Sequence, residues 1–188
     1  MLDFTTTFAV ERTPQEAFEA ITNVRGWWSQ EVEGVTDQVG GEFTYHYQDV
    51  HRCCIRVTEL VPGRRVAWLV LDNYFNFVED QAEWKDTRVV FEISEMEGGT
   101  EVHFTHVGLV PQYECYEVCS NAWGGYLGGS LRNLINTGEG QPNLKGNGHA
   151  PTHQHTAAEL RGGRQRQASA GPTPGRGKTE MDLGAGRP

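Results

Sequence analysis

Residues 3–10, DFTTTFAV, alternate in polarity and are rich in Thr, Phe and Val, a period of two that predicts a first strand. The pattern breaks at Thr13-Pro14, with Glu16 three residues after Thr13, so an N-cap, a proline in the first helical turn and a capping box coincide. A short helix through Ala17, Phe18 and Ile21 should follow and end near Asn23 to Gly26, with Trp27-Trp28-Ser29 leading through a second short helical turn. From about residue 31 to 107 the pattern becomes strand, turn, strand, punctuated at Gly40-Gly41, Pro62-Gly63 and Gly98-Gly99, and six strands fit this stretch. Phe43, Tyr45 and Tyr47 share one face of the second of these six. Val66, Trp68 and Val70 share one face of the fourth, and Val102, Phe104 and His106 one face of the last. These residues are expected on the concave face of an antiparallel sheet.

Two segments depart from that rhythm. The connection from Asn73 to Asp86 carries Tyr74, Phe75, Phe77 and Trp84, more aromatic side chains than a solvated loop needs, and is expected to fold over part of the domain. Between residues 114 and 137 the apolar period lengthens to three and four, with Tyr116, Cys119, Trp123, Tyr126, Leu127, Leu131, Leu134 and Ile135 on one helix face. This longest helix holds Gly124, Gly125, Gly128 and Gly129, each costing about 1 kcal/mol relative to Ala in a helix interior. Either the helix lies very close to the sheet or it bends there, and Gly138 is its natural end.

Charge and composition divide the chain. Residues 1–143 carry 9 Lys/Arg against 22 Asp/Glu, net −13, and residues 144–188 carry 7 against 3, net +4, which together give the −9 of the whole chain. One α+β domain over residues 1–143 is expected, followed by a disordered basic Gly/Pro/Arg-rich tail over 144–188, which holds no aromatic residue. So acidic a domain repels phosphate backbones, which argues against nucleic-acid binding. No apolar run approaches the roughly 20 residues of a membrane span, and MLDFTTTFAVER lacks the segments of a secretory signal, so no membrane association and a cytoplasmic location are expected. All four cysteines read as thiols in a reducing compartment, with Cys53 and Cys54 on opposite strand faces.

Several short stretches, in order, resemble homologues of the activator of the heat-shock protein 90 ATPase, within the SRPBCC (START-like) superfamily: Trp27-Trp28-Ser29, Gly40-Gly41-Glu42-Phe43, Val57-Thr58-Glu59-Leu60-Val61-Pro62, and Gly99-Thr100-Glu101-Val102 leading to Phe104-Thr105-His106-Val107-Gly108-Leu109. The helix stretch ECYEVCSNAWGGYLGGSL resembles a bacterial branch of stand-alone domains of this kind. The resemblance implies a helix-grip (START-like, Bet v 1-like) fold, a curved antiparallel β-sheet wrapped around a long C-terminal helix with two short helices after the first strand. It also implies a hydrophobic cavity between sheet and helix that in many members takes a lipid, polyketide or aromatic molecule, and it implies no shared catalytic set. The additional N-terminal domain that binds the chaperone in the eukaryotic proteins has no room before Phe4 in this sequence.

The candidate ligand-binding residues are Tyr45, Tyr47, Trp68, Phe104, His106, Trp123 and Tyr126, an aromatic set that fits a cavity lining or, equally, a filled core. Tyr45, Tyr47 and His106 would supply orienting hydrogen bonds to a small apolar or aromatic molecule. His106 as an acid or base of a cyclase or hydrolase is the rival reading, and a histidine hydrogen-bonded within the core the plainer one. Cys115 and Cys119, at i and i+4, suit a metal or redox pair but match the buried helix stripe as well, and without a second CxxC pair the stripe is preferred. His149, His153 and His155 form a loose tract suited to adventitious metal binding. No GxGxxG after a strand, P-loop, GxSxG or HExxH is present, so no catalytic residue, metal or cofactor is assigned. A protein partner recognising the acidic surface is the remaining alternative.

Overall fold

The computed structural model describes residues 2–146. The elements run β1 (Phe4–Val10), α1 (Pro14–Thr22), a 3-10 turn (Val24–Gly26), β2 (Glu33–Gly34), β3 (Glu42–Tyr47), β4 (His51–Val61), β5 (Arg65–Phe75), β6 (Arg88–Met96), β7 (Gly99–Val107), α2 (Tyr116–Gly125), a π-helical stretch (Tyr126–Leu131) and α3 (Arg132–Thr137). The capping box at Thr13 forms as expected: the Glu16 amide donates to Thr13 Oγ1, and the Thr13 amide donates to Glu16 Oε2 at 2.8 Å.

All seven strands join one antiparallel sheet in the order β1-β7-β6-β5-β4-β3-β2. The chain thus winds from one edge, β1, to the far edge and back to pair β7 with β1. Register shifts between Cys54 and Ile55 and between Val57 and Glu59 interrupt the β4–β5 pairing, and bulges of this kind bend a sheet and increase its twist. The concave side holds a single core in which Phe43, Val66, Trp68, Val70, Val102 and Phe104 are buried beneath the helices, as the period-two reading requires.

The C-terminal helix is continuous from Tyr116 to Thr137 and closes the concave side with Cys119, Trp123, Leu127, Leu131 and Ile135. Gly124, Gly128 and Gly129 do not bring it close to the sheet. A Cβ at Gly124, Gly128 or Gly129 would meet no atom within 4 Å, and Gly124 and Gly128 are exposed. The irregularity instead takes the form of the π-helical stretch, where the backbone steps from one regular segment to the next. Gly138, with φ of 83°, ends α3 in the left-handed region, and its amide donates to Leu134 O.

Beyond Gly138 the chain turns back as a strap. The Gln141 amide donates to Ser130 Oγ, and Asn143 bridges to Ser29 in parallel, with Asn143 N donating to Trp28 O and Gln30 N to Asn143 O. Backbone hydrogen bonds continue to Gly146, whose amide donates to Glu31 Oε1, three residues past the boundary read at 143. The remaining tail, with His149, His153 and His155, lies outside the described residues. Among the described residues no helix is long and apolar enough to cross a membrane.

Candidate functional site

A cavity of about 90 Å³, partly open to solvent, lies between the far half of the sheet and the C-terminal helix. The sheet contributes Tyr45 and Tyr47 from β3, His51 from β4 and Phe75 from the end of β5. The β5–β6 connection adds Phe77 and Trp84, and the turn after α1 adds Trp28. From the helix come Val118, Cys119, Ala122, Trp123, Gly125 and Tyr126, and Gln141 of the strap completes the wall. Nine of these side chains carry rings, and no Lys, Arg, Asp or Glu lines the space. The void is far below the ~300–1,000 Å³ of pockets for drug-sized ligands, and suits one ring or a compact aliphatic molecule.

The rings brace one another. Trp28 stacks on Tyr45 with centroids 4.3 Å apart, and Trp84 stacks on Trp123 at 5.7 Å. His51 meets Phe75 at 4.4 Å and Trp84 edge-on at 4.8 Å. The polar tips gather at one end, where Asn143 Nδ2 donates to both Tyr126 OH (2.9 Å) and Tyr45 OH (3.2 Å), and the two hydroxyls lie 3.3 Å apart. Burial, with the Tyr126 hydroxyl beside it, holds the Tyr45 phenol well above its usual range.

The β5–β6 connection is fastened to the helix by Glu83. Its carboxylate accepts from the backbone N–H of Glu114 (2.7 Å) and of Cys115 (2.9 Å), the free donors at the start of α2, where a negative charge also meets the positive end of the helix dipole. Cys115 and Cys119 are both buried and free, and Cys119 faces the cavity. The Cys115 thiol is pushed far up by its hydrogen bond with Cys119 and by burial. Among the described residues no cluster of three metal-ligating side chains occurs.

Of the seven residues singled out from the sequence, Tyr45, Tyr47, Trp123 and Tyr126 reach the cavity. Trp68, Phe104 and His106 are not among the residues that line it. Trp68 is covered by Trp27, Trp28, Phe43 and Phe91, and Phe104 by Phe4, Phe91 and Trp123. His106 is fully buried behind Trp123 and Trp84, with both ring nitrogens engaged. Trp123 Nε1–H donates to His106 Nδ1 at 3.1 Å, so the proton sits on Nε2 and donates to Thr87 Oγ1 at 2.9 Å, while the Thr87 hydroxyl donates to Trp84 O. Desolvation, reinforced by nearby His51, lowers the His106 pKa to about 3. It is the hydrogen-bonded core histidine.

Trp28, His51, Phe75, Phe77 and Trp84 are lining residues that were not singled out. A signal existed for all of them but Trp28. His51 begins the alternation His51, Cys53, Ile55, Val57 on the inner face of β4, and the aromatic excess of the Asn73 to Asp86 connection marked Phe75, Phe77 and Trp84.

The sequence matches, over residues 11–136, the family model described as Activator of Hsp90 ATPase homolog 1-like protein. Comparison with curated protein sequences gives no match. Among solved structures, the Aha1 dimer from Colwellia psychrerythraea is similar at TM-score 0.61 and 23% identity, covering 74% of this chain and 100% of that one. A protein from Mesorhizobium loti matches at TM-score 0.58 and 14% identity, over 71% of this chain and 96% of that one. One from Staphylococcus saprophyticus matches at TM-score 0.55 and 17% identity, over 76% and 98%. At these identities the neighbours speak to the fold, which is the helix-grip arrangement of a curved antiparallel sheet and a long C-terminal helix. With the family match running from the start of α1 almost to the end of α3, the chain belongs to the family of Activator of Hsp90 ATPase homolog 1-like proteins.

Proposed function

We propose that this domain binds a small, mostly apolar molecule in the cavity between β3, β4, β5 and α2. The observation that carries the reading is the wall itself: nine rings and no charged side chain line a space between the sheet and the C-terminal helix. Binding sites are commonly apolar and concave with few polar groups, and this one offers Tyr47, His51 and the Tyr45–Tyr126 pair as handles. The rival in which His106 acts as acid or base loses support, since both its nitrogens are occupied away from the cavity.

Native mass spectrometry of the freshly purified protein should reveal a co-purifying molecule, and toluene should give saturable NMR shifts at Trp84, Trp123 and Tyr126. Gly125→Leu, placed at the cavity wall, should keep the fold and weaken toluene binding by about tenfold or more. Absence of toluene binding to the native protein, together with no co-purifying molecule, would overturn the proposal. A second reading draws on the family description and on the net −13 of residues 1–143: docking of a basic partner or a chaperone on the acidic surface. Co-precipitation of purified Hsp90 that fades as salt is raised would favour it.

A further inference from the structure

Six polar side chains besides Cys119 line the cavity, Tyr45, Tyr47, His51, Tyr126, Ser130 and Gln141, and their existing bonds decide what each still offers. Ser130 Oγ already donates to Trp27 O and accepts from the Gln141 amide N–H, and Gln141 is exposed, so its side chain can reach solvent. Asn73, itself buried, donates from Nδ2 to Gln81 O at 3.1 Å, which turns its Oδ1 toward His51 Nε2 at 2.9 Å. An amide oxygen only accepts, so His51 carries its proton on Nε2. Burial lowers the His51 pKa to about 3, so the ring is neutral at physiological pH. His51 Nδ1 is therefore a lone-pair acceptor, and among the described residues it has no partner.

The other groups select less. The Tyr47 hydroxyl can turn its hydrogen either way. The Tyr45 and Tyr126 hydroxyls are already engaged with Asn143 and with each other. Among the described residues Trp84 Nε1 is a donor without a partner, but it exposes less than 1 Å². No cation lines the wall, and the surrounding residues 1–143 carry net −13, so an anion would enter against the field and find no counter-charge.

We infer that the cavity selects a compact molecule, one ring in size, which carries an O–H or N–H donor for His51 Nδ1 and no negative charge. His51 is the specificity-determining residue of the site, and Asn73 fixes its tautomer. The inference rests on the cavity being a binding site, and the experiment separates the two.

Benzyl alcohol and anisole are isomers that differ in whether the oxygen carries a hydrogen. Titrated into the full chain alongside toluene and benzoate, and followed by NMR, benzyl alcohol should bind about fivefold tighter than anisole, the worth of one net hydrogen bond. Benzoate should bind at least about tenfold weaker than benzyl alcohol. In His51→Phe, which keeps a ring in place, the preference for benzyl alcohol over anisole, read as the ratio of the two within the variant, should disappear. Equal binding of the isomers, binding of benzoate as tight as the alcohol, or a donor preference that survives in His51→Phe would each overturn the inference and leave the cavity reading standing. If toluene and both isomers all fail to bind the native protein, the cavity reading falls and the inference with it. Should His51→Phe not fold, the comparison of isomers and benzoate on the native protein decides alone.

Discussion

The two histidines of the concave side are both set among aromatic rings and differ in burial and in one hydrogen bond, His106 being fully buried and His51 half-buried. His106 lies in the filled half of the core, under β6, β7 and the middle of α2, where each nitrogen has a protein partner. His51 lies in the half that holds the cavity, braced by Tyr45, Phe75 and Trp84, with only Nε2 satisfied. Burial lowers both to about 3. A histidine ringed by aromatic side chains belongs to the architecture when both its nitrogens are bonded, and is open to a guest when one nitrogen has no partner among the described residues and the ring lines a cavity.

Trp123 joins the two halves, touching Trp28 and Trp84 on one side and Phe104 and His106 on the other, and it is 1% exposed. Trp123→Ala should cost about 3–5 kcal/mol, read from urea unfolding, because it opens a cavity and also leaves His106 Nδ1 without its donor. A loss under about 1 kcal/mol would mean that the halves do not depend on this side chain.

Acid should act on both histidines together. Each has a folded pKa below the unfolded value of about 6.5, so each contributes stability that is fully present above that pH and lost as pH falls toward about 3. Between pH 6.5 and 5 the loss should be about 2 kcal/mol per histidine, and His51→Phe should remove one of the two increments. An unchanged pH slope in that variant would show that His51 is not held neutral in the fold.

The connection carrying Phe77 and Trp84 depends on Glu83. Glu83→Ala strands the backbone N–H groups of Glu114 and Cys115 and should cost about 1–3 kcal/mol. Hydrogen exchange should quicken in the connection and the first turn of α2 while β6 and β7 stay protected. Uniform exchange across the domain would mean that the cavity wall and the core unfold as one unit.

The smallest effect is a gain. Gly124 is exposed and helical, and a Cβ there meets nothing, so Gly124→Ala should stabilise by about 0.5–1 kcal/mol in urea unfolding. A loss would show that the glycines of the helix serve a contact outside the described residues.

The sequence by itself determined the elements and most of the core. Period-two runs placed Phe43, Tyr45, Val66, Trp68, Val102 and Phe104 on the inner face, Thr13-Pro14 with Glu16 marked the start of α1, and Gly138 marked the end of α3. These are local signals, set by side-chain alternation, caps and backbone sterics within a few residues. Which inner-face rings border empty space was decided only by the tertiary structure. Trp68 and His106 have the same alternation as Tyr45, yet Trp27 covers the first and Trp123 the second, and no period along a strand records what packs against it from a distant element. The same holds for the glycines, whose shared signal of close approach or bend resolved into a π-helical stretch, with open space beside Gly124, Gly128 and Gly129. His51 became a candidate through Asn73, Gln81 and the void beside it, a set assembled from two strands, a loop and a helix, where three-dimensional packing fixes the tautomer and the sequence supplies only the imidazole.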